Sequence, residues 1–168
     1  MIFSHSSCRA LCDVTRNVPD DVLELIGRTH GVVMVAFVPS FVAPEGAEVN
    51  AAAWEQANRL RAELADDPER MRAAMEEWWE SLEEVPATVG QVADHIDHVR
   101  EVAGIDHIGV GGDYDGAGSM PEGLEDVSGY PTLFEELGAR GYADEELQKI
   151  AGGNVLRVMR GAERVAGS

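Results

Sequence analysis

Apolar positions in this chain fall into two patterns, unbroken runs and stripes at helical spacing, and the two alternate. Residues 2–4 read as a short strand. Residues 19–26 read as a helix: Pro19 suits a first turn, Asp20 and Asp21 favour the helix N-terminus, and Val22, Leu25 and Ile26 form an apolar stripe. Gly31 breaks the chain. Residues 32–37 are uninterruptedly apolar, the pattern of a strand covered on both faces, and Pro39 stops them. Residues 50–83 are helical in composition, divided by Pro68, with Asp67 as the cap of the second helix. On that helix Met71, Met75, Trp78 and Trp79 read as packing surface. Residues 91–103 form an amphipathic helix with Val92, Ile96, Val99 and Ala103 on one stripe, ended by Gly104. A strand at 107–111, a helix at 144–150 and a last helix capped by Asn154 complete the prediction.

Strand, helix, strand, long helical section, strand, helices: this order predicts an α/β fold of βα units around a parallel sheet. Three strands cannot close a barrel, and an eight-stranded one takes about 250 residues. The chain has 168 residues and begins inside a strand, so the expectation is that an N-terminal portion is missing from it.

Composition narrows the function. Hydrophobic residues make up 45%, ample for a packed core, while 13 basic against 31 acidic residues give a formal charge of −18. That balance argues against nucleic acid or an anionic membrane surface as partner. No apolar run approaches the roughly 18 residues of a membrane span, and no signal peptide is visible. Two cysteines, Cys8 and Cys12, do not make a disulfide framework. A zinc cluster of His5, Cys8 and Cys12 lacks a fourth ligand and a known spacing, so two packed thiols are expected. Acidity and the lack of disulfide patterning suit a bacterial cytoplasm.

Two strand ends carry chemistry. Gly111-Gly112-Asp113-Tyr114-Asp115-Gly116 follows a strand, and its glycines let the backbone turn sharply. Carboxylates just past a strand end lie where barrel and open-sheet enzymes place catalytic groups. A calcium loop is excluded, because the third acidic ligand before the glycine is missing. The alternatives are a capped turn or acid/base and metal work, with Asp113, nearer the strand, the better candidate. His5, in Ser4-His5-Ser6-Ser7, is either a packed histidine or a metal ligand. Arg16, just before a helix, is either a surface arginine or a clamp for a substrate carboxylate. Asp94, His95, Asp97 and His98 look like a cluster, but helical angles assign them to a solvated face with His95 on its flank.

The chain resembles the membrane (renal-type) dipeptidases, a family of zinc metallopeptidases. The resemblance rests on Ile2-Phe3-Ser4-His5-Ser6-Ser7, Arg16-Asn17-Val18-Pro19-Asp20-Asp21-Val22-Leu23 and Val32-Val33-Met34-Val35. It continues through Val92-Ala93-Asp94-His95-Ile96-Asp97-His98, the loop at 111–116, residues 121–128 and Asn154-Val155-Leu156-Arg157-Val158. It implies part of a (β/α)8 TIM-type barrel, its C-terminal strands and helices only. Residues 1–168 are then the C-terminal part of one domain, with a helical insertion at about 45–86. It also implies two Zn(2+) ions in the complete enzyme, a dipeptide substrate and a homo-oligomer. His5 is then a zinc ligand, Arg16 the clamp for the substrate's C-terminal carboxylate, and Asp113 the catalytic carboxylate that also contacts substrate. Asp115 matches the motif without a role. The family's His-x-Asp pair, bridging acidic ligand, catalytic histidine and other zinc histidine have no counterparts. Cys8 replaces a usual small residue, and residues 12–15 differ. The expectation is therefore weak zinc binding, little activity and poor solubility for the chain alone. The alternatives are a degenerate non-catalytic member and another metal-dependent amidohydrolase-type barrel.

Overall fold

The computed structural model of the chain describes residues 1–81 and 85–167, apart from the side chain of Trp79. The apolar runs become strands β1 (Ile2–Phe3), β2 (Val32–Val35) and β3 (Ile108–Val110), in spatial order β1-β2-β3 and all parallel. Ile2 lies opposite Val32, Val33 opposite Ile108 and Val35 opposite Val110. Because the three strands run the same way, their carboxyl ends emerge at one rim. Beyond β2 the run does not remain in the ladder, but Ala36 and Phe37 stay fully buried.

Parallel neighbours need crossovers, and helices supply them. Between β1 and β2 runs α1 (Asp20–Thr29). Between β2 and β3 come α2 (Pro39–Val42), α3 (Gly46–Glu63), α4 (Pro68–Glu80) and α5 (Val89–Val102). After β3 follow α6 (Tyr130–Ala139), α7 (Asp144–Gln148) and α8 (Asn154–Ala166), the last two joined by a wide π-type turn, Lys149–Gly153. Leu23 and Ile26 of α1, Val92, Ile96 and Val99 of α5, and Leu133 and Leu137 of α6 close over Val33, Val35 and Ile108 of the sheet. Each such side chain contributes about 1.5–3 kcal/mol through removal from water. Among the described residues no helix is long and apolar enough to cross a membrane.

Local chemistry sets the helix ends. Thr88 caps α5 reciprocally with Gln91, each backbone N–H donating to the other's side-chain oxygen at 2.9 and 3.2 Å, which starts the helix earlier than its apolar stripe does. The Asp67 carboxylate accepts from the Arg70 N–H at 3.0 Å at the start of α4. α1 continues past its stripe to Thr29, where His30 adopts a left-handed φ of 56°. Helix α6 is one the apolar pattern does not announce. Asn154 is not a cap. It is buried, and its amide donates to the carbonyls of Ile105 and Ile108 at 2.8 Å, tying the start of α8 to β3.

Helices α3 and α4 form an arm between β2 and α5. Only Gly46 and Leu60 are buried on α3, and Trp54 is exposed. Met71, Met75 and Trp78 are half-buried on α4, which packs on α3, in keeping with a packing role. The side chain of Trp79 and residues 82–84 of the expected insertion lie outside the described residues.

Candidate active site

Backbone bonds at and just beyond the strand ends set the rim. The Ser6 N–H donates to the Met34 carbonyl at 3.1 Å, Gly111 to Val35 at 2.9 Å, and Phe37 to Gly112 at 3.3 Å. The chain leaving β1 also crosses toward the end of β3. The Ser4 carbonyl oxygen is seated so closely against Gly111 that a Cβ at position 111 would collide with it. Backbone segments carrying His5 and Asp113 therefore meet at the rim, although their sequence positions are far apart.

Asp113 has a φ of 63°, a left-handed conformation that Asp tolerates better than most residues. Glycines make room for it. A Cβ on Gly116 would stand 2.5 Å from the Asp113 Oδ1, and one on Gly112 would meet the Tyr114 ring at 2.8 Å. Under the loop, Phe37, Tyr114 and Tyr130 pack as an aromatic trio with centroids 5.6–6.1 Å apart. The Tyr114 hydroxyl donates to the Asp126 carbonyl at 3.0 Å. Burial pushes that phenol up to about 12, so it stays a neutral donor. Asp113 is half-buried, whereas Asp115 is exposed.

His5 is half-buried, with its Nδ1 2.7 Å from the Ser4 hydroxyl, which leaves Nε2 to bind a ligand. A second hydrogen bond on the far ring nitrogen is how metal-binding histidines are commonly oriented. Arg16 is exposed, its guanidinium 5.7 Å from the centre of the Phe41 ring. His5 and Asp113 lie just past the ends of β1 and β3 and Arg16 stands shortly before α1, and none of the three bonds directly to another. Among the described residues no group of three His, Cys, Asp or Glu side chains could hold a metal ion. A single imidazole falls short of the three or four ligands a zinc site takes. The thiols do not extend it. Cys8 and Cys12 are buried and free, and burial raises them to about 12 and about 11.

The expected solvated face on α5 needs correction. His95 is fully buried. Its Nδ1 accepts from the Cys8 N–H at 2.9 Å and its Nε2–H donates to the Val42 carbonyl at 3.1 Å. Burial lowers its pKa to about 4, so the ring is neutral. An apolar setting rather than solvent decides its state, because position 95 borders the stripe that faces the core. Its neighbours do reach the surface and find partners there. His98 meets Asp20 at 2.8 Å, and Arg140 bridges Asp94 and Asp97 at 2.7 Å each.

Two more buried polar residues hold the loop between β1 and α1. The Asn17 side chain accepts from the Ser7 N–H at 3.0 Å and donates to the carbonyls of Cys12 at 2.9 Å and Phe41 at 2.8 Å. The Ser7 hydroxyl donates to the Ala36 carbonyl at 3.3 Å. Both residues stand inside the segments that carry the family resemblance, but sequence reasoning assigns neither a role.

Comparison with known proteins follows the same lines. The family model for membrane dipeptidase (peptidase family M19) matches residues 1–168. Dipeptidase 3 of Macaca fascicularis is 42% identical over 165 residues, and that of Homo sapiens 41%, in each case across 98% of this chain. The chain spans 26% of the length of either relative. Among solved structures, the probable dipeptidase PvdM from Pseudomonas aeruginosa superposes with a TM-score of 0.70 at 29% identity, covering 94% of this chain and 43% of that one. A metallo peptidase from Rhodobacter sphaeroides, liganded with a phosphinate mimic of the dipeptide L-Ala-D-Ala, gives 0.65 at 27%, covering 91% and 33%. With its whole length matched by the family model and its fold shared with these structures, the chain belongs to the membrane dipeptidase family, peptidase family M19.

Proposed function

We propose that this chain supplies the C-terminal part of a zinc-dependent dipeptidase site on a (β/α)8 barrel, acting on small dipeptides, including those with a D-residue at the C-terminal position. The supporting observation is the convergence of the β1 and β3 exits, where Ser4 and Gly111 touch beside His5 and Asp113. His5 would hold one zinc through Nε2. Zinc, when bound, polarises the amide carbonyl and lowers the pKa of a water molecule. Arg16 would grip the substrate's terminal carboxylate through its fork of donors, its planar group backed by Phe41. Asp113 would accept a proton at its carboxylate and hand it to the leaving amine, while orienting the substrate. Two buried thiols without a disulfide accord with a reducing compartment, which supports reading the protein as cytoplasmic.

The test is hydrolysis of L-Ala-D-Ala with stoichiometric zinc. The chain is assayed alone and after addition of the part of the Rhodobacter metallopeptidase outside the segment matched here. Little turnover is expected from the chain alone, because one ligand holds a metal poorly. Turnover is expected on assembly, and its loss with Asp113→Asn. Robust turnover by the chain alone, an assembled complex without turnover, or activity indifferent to Asp113→Asn overturns the proposal.

A further inference from the structure

The loop between β1 and α1 carries two proposed site residues, His5 near its start and Arg16 near its end. Loops of this length have many conformations open to them, yet this one is pinned from within and from outside. Inside, Cys8 pairs with Val18, the Arg9 N–H donating to the Val18 carbonyl at 2.9 Å and the Val18 N–H to Ser7 at 2.8 Å. Outside, each anchor lands on the segment that leaves β2. Ser7 reaches Ala36, Asn17 reaches Phe41, and His95 joins Cys8 to Val42. All three anchoring side chains are buried, His95 and Ser7 completely. Their polar atoms are satisfied in this arrangement, and an unpaired buried polar group costs about 1–3 kcal/mol. The anchors thus act as a conformational filter. Phe41 is held twice, its carbonyl by Asn17 and its ring under the Arg16 guanidinium.

We infer that His95 and Asn17 are positioning residues: they lock the β1–α1 loop onto the exit of β2 so that the His5 imidazole and the Arg16 guanidinium are presented together. This rests on the proposed roles of His5 and Arg16, but the lock itself is testable without them. His95 works through its neutral ring, with one nitrogen accepting and one donating. Asn is the closest replacement, because its amide can accept at the Nδ1 position, whereas Leu fills the space without bonding.

The test uses the full chain by nuclear magnetic resonance. For His95→Leu, the expected result is that the Ser7 and Cys8 amides exchange with solvent about ten-fold faster or more, while Val33 and Ile108 keep their protection. The through-space contact between Arg16 and the Phe41 ring should weaken with it. His95→Asn should retain the Cys8 protection and most of the Arg16–Phe41 contact. Asn17→Ser should lose the Arg16–Phe41 contact while keeping the Cys8 protection. Unchanged Ser7 and Cys8 exchange in His95→Leu overturns the inference, as does opening of the loop with the Arg16–Phe41 contact intact. Titration of the assembled complex with zinc chloride and L-Ala-D-Ala, read at the His5 ring and the Arg16 guanidinium, separates the two levels. No response in the unaltered complex counts against the proposed function, while exchange and ring contact in the chain still decide the lock.

Discussion

Two loops at the same rim are built by different means. The loop after β3 is shaped by what is left out: glycines at 111, 112 and 116 admit a carbonyl, a ring and a carboxylate where a Cβ would intrude. The loop after β1 is shaped by what is put in, with Ser7, Asn17 and His95 each bonding a backbone group of a distant segment. The first device is local and rigid, and steric overlap enforces it. The second is distributed and depends on the ionisation of a ring. The Asp113 loop should therefore respond to changes of volume, and the His5–Arg16 loop to changes of hydrogen bonding and pH.

The most damaging substitution on this reading is Gly111→Val, which forces the β1 exit away from β3. It should cost about 3 kcal/mol or more in urea unfolding. A loss below about 1 kcal/mol would mean the two exits are not in contact.

Acid should act on the other loop. The His95 pKa is depressed to about 4 in the fold, against an ordinary 6.5 when unfolded. The unfolded chain thus binds the proton first. Stability is fully present above about pH 6.5 and is lost as pH falls toward 4, by about 3 kcal/mol in total. His95→Leu should be less stable at neutral pH and should flatten that acid slope, as measured by unfolding at a series of pH values. An unchanged slope would transfer the effect to other groups.

A smaller effect is expected at Asp113. Asp113→Gly should relieve the left-handed backbone and stabilise the chain by about 1 kcal/mol, while Asp113→Asn should change stability by less than about 0.5 kcal/mol. The smallest effect is at Phe41. Phe41→Leu should remove the ring beneath Arg16 at a cost of about 0.5–1 kcal/mol, visible as greater Arg16 side-chain mobility in relaxation measurements.

The same contrast explains what the amino-acid order disclosed. Apolar runs bounded by glycine and proline identify β2 and β3 and their parallel alternation with helices, because burial on both faces demands such runs. The Gly-Gly-Asp-Tyr-Asp-Gly loop is equally legible, since its chemistry is contained in six consecutive residues. His95 is misplaced because its partners are remote. Cys8 lies 87 residues away and Val42 lies 53, and no helical period encodes them. Asn154 is misassigned for the same reason, its carbonyl partners lying 49 and 46 residues earlier. Residue type suggests a cap, whereas packing gives it a buried role. Arg16 becomes informative only once Phe41 is folded beneath it.

The arm of α3 and α4 has a consequence for how this chain can be altered. Its root is fixed, because Gly46 sits against the Ser40 backbone. Beyond that root, Leu60 alone among the described residues of the two helices is buried. Length changes or a grafted reporter placed between the two helices, around Ala65 and Asp66, would leave both rim loops undisturbed, making the arm the segment best suited to carry added cargo.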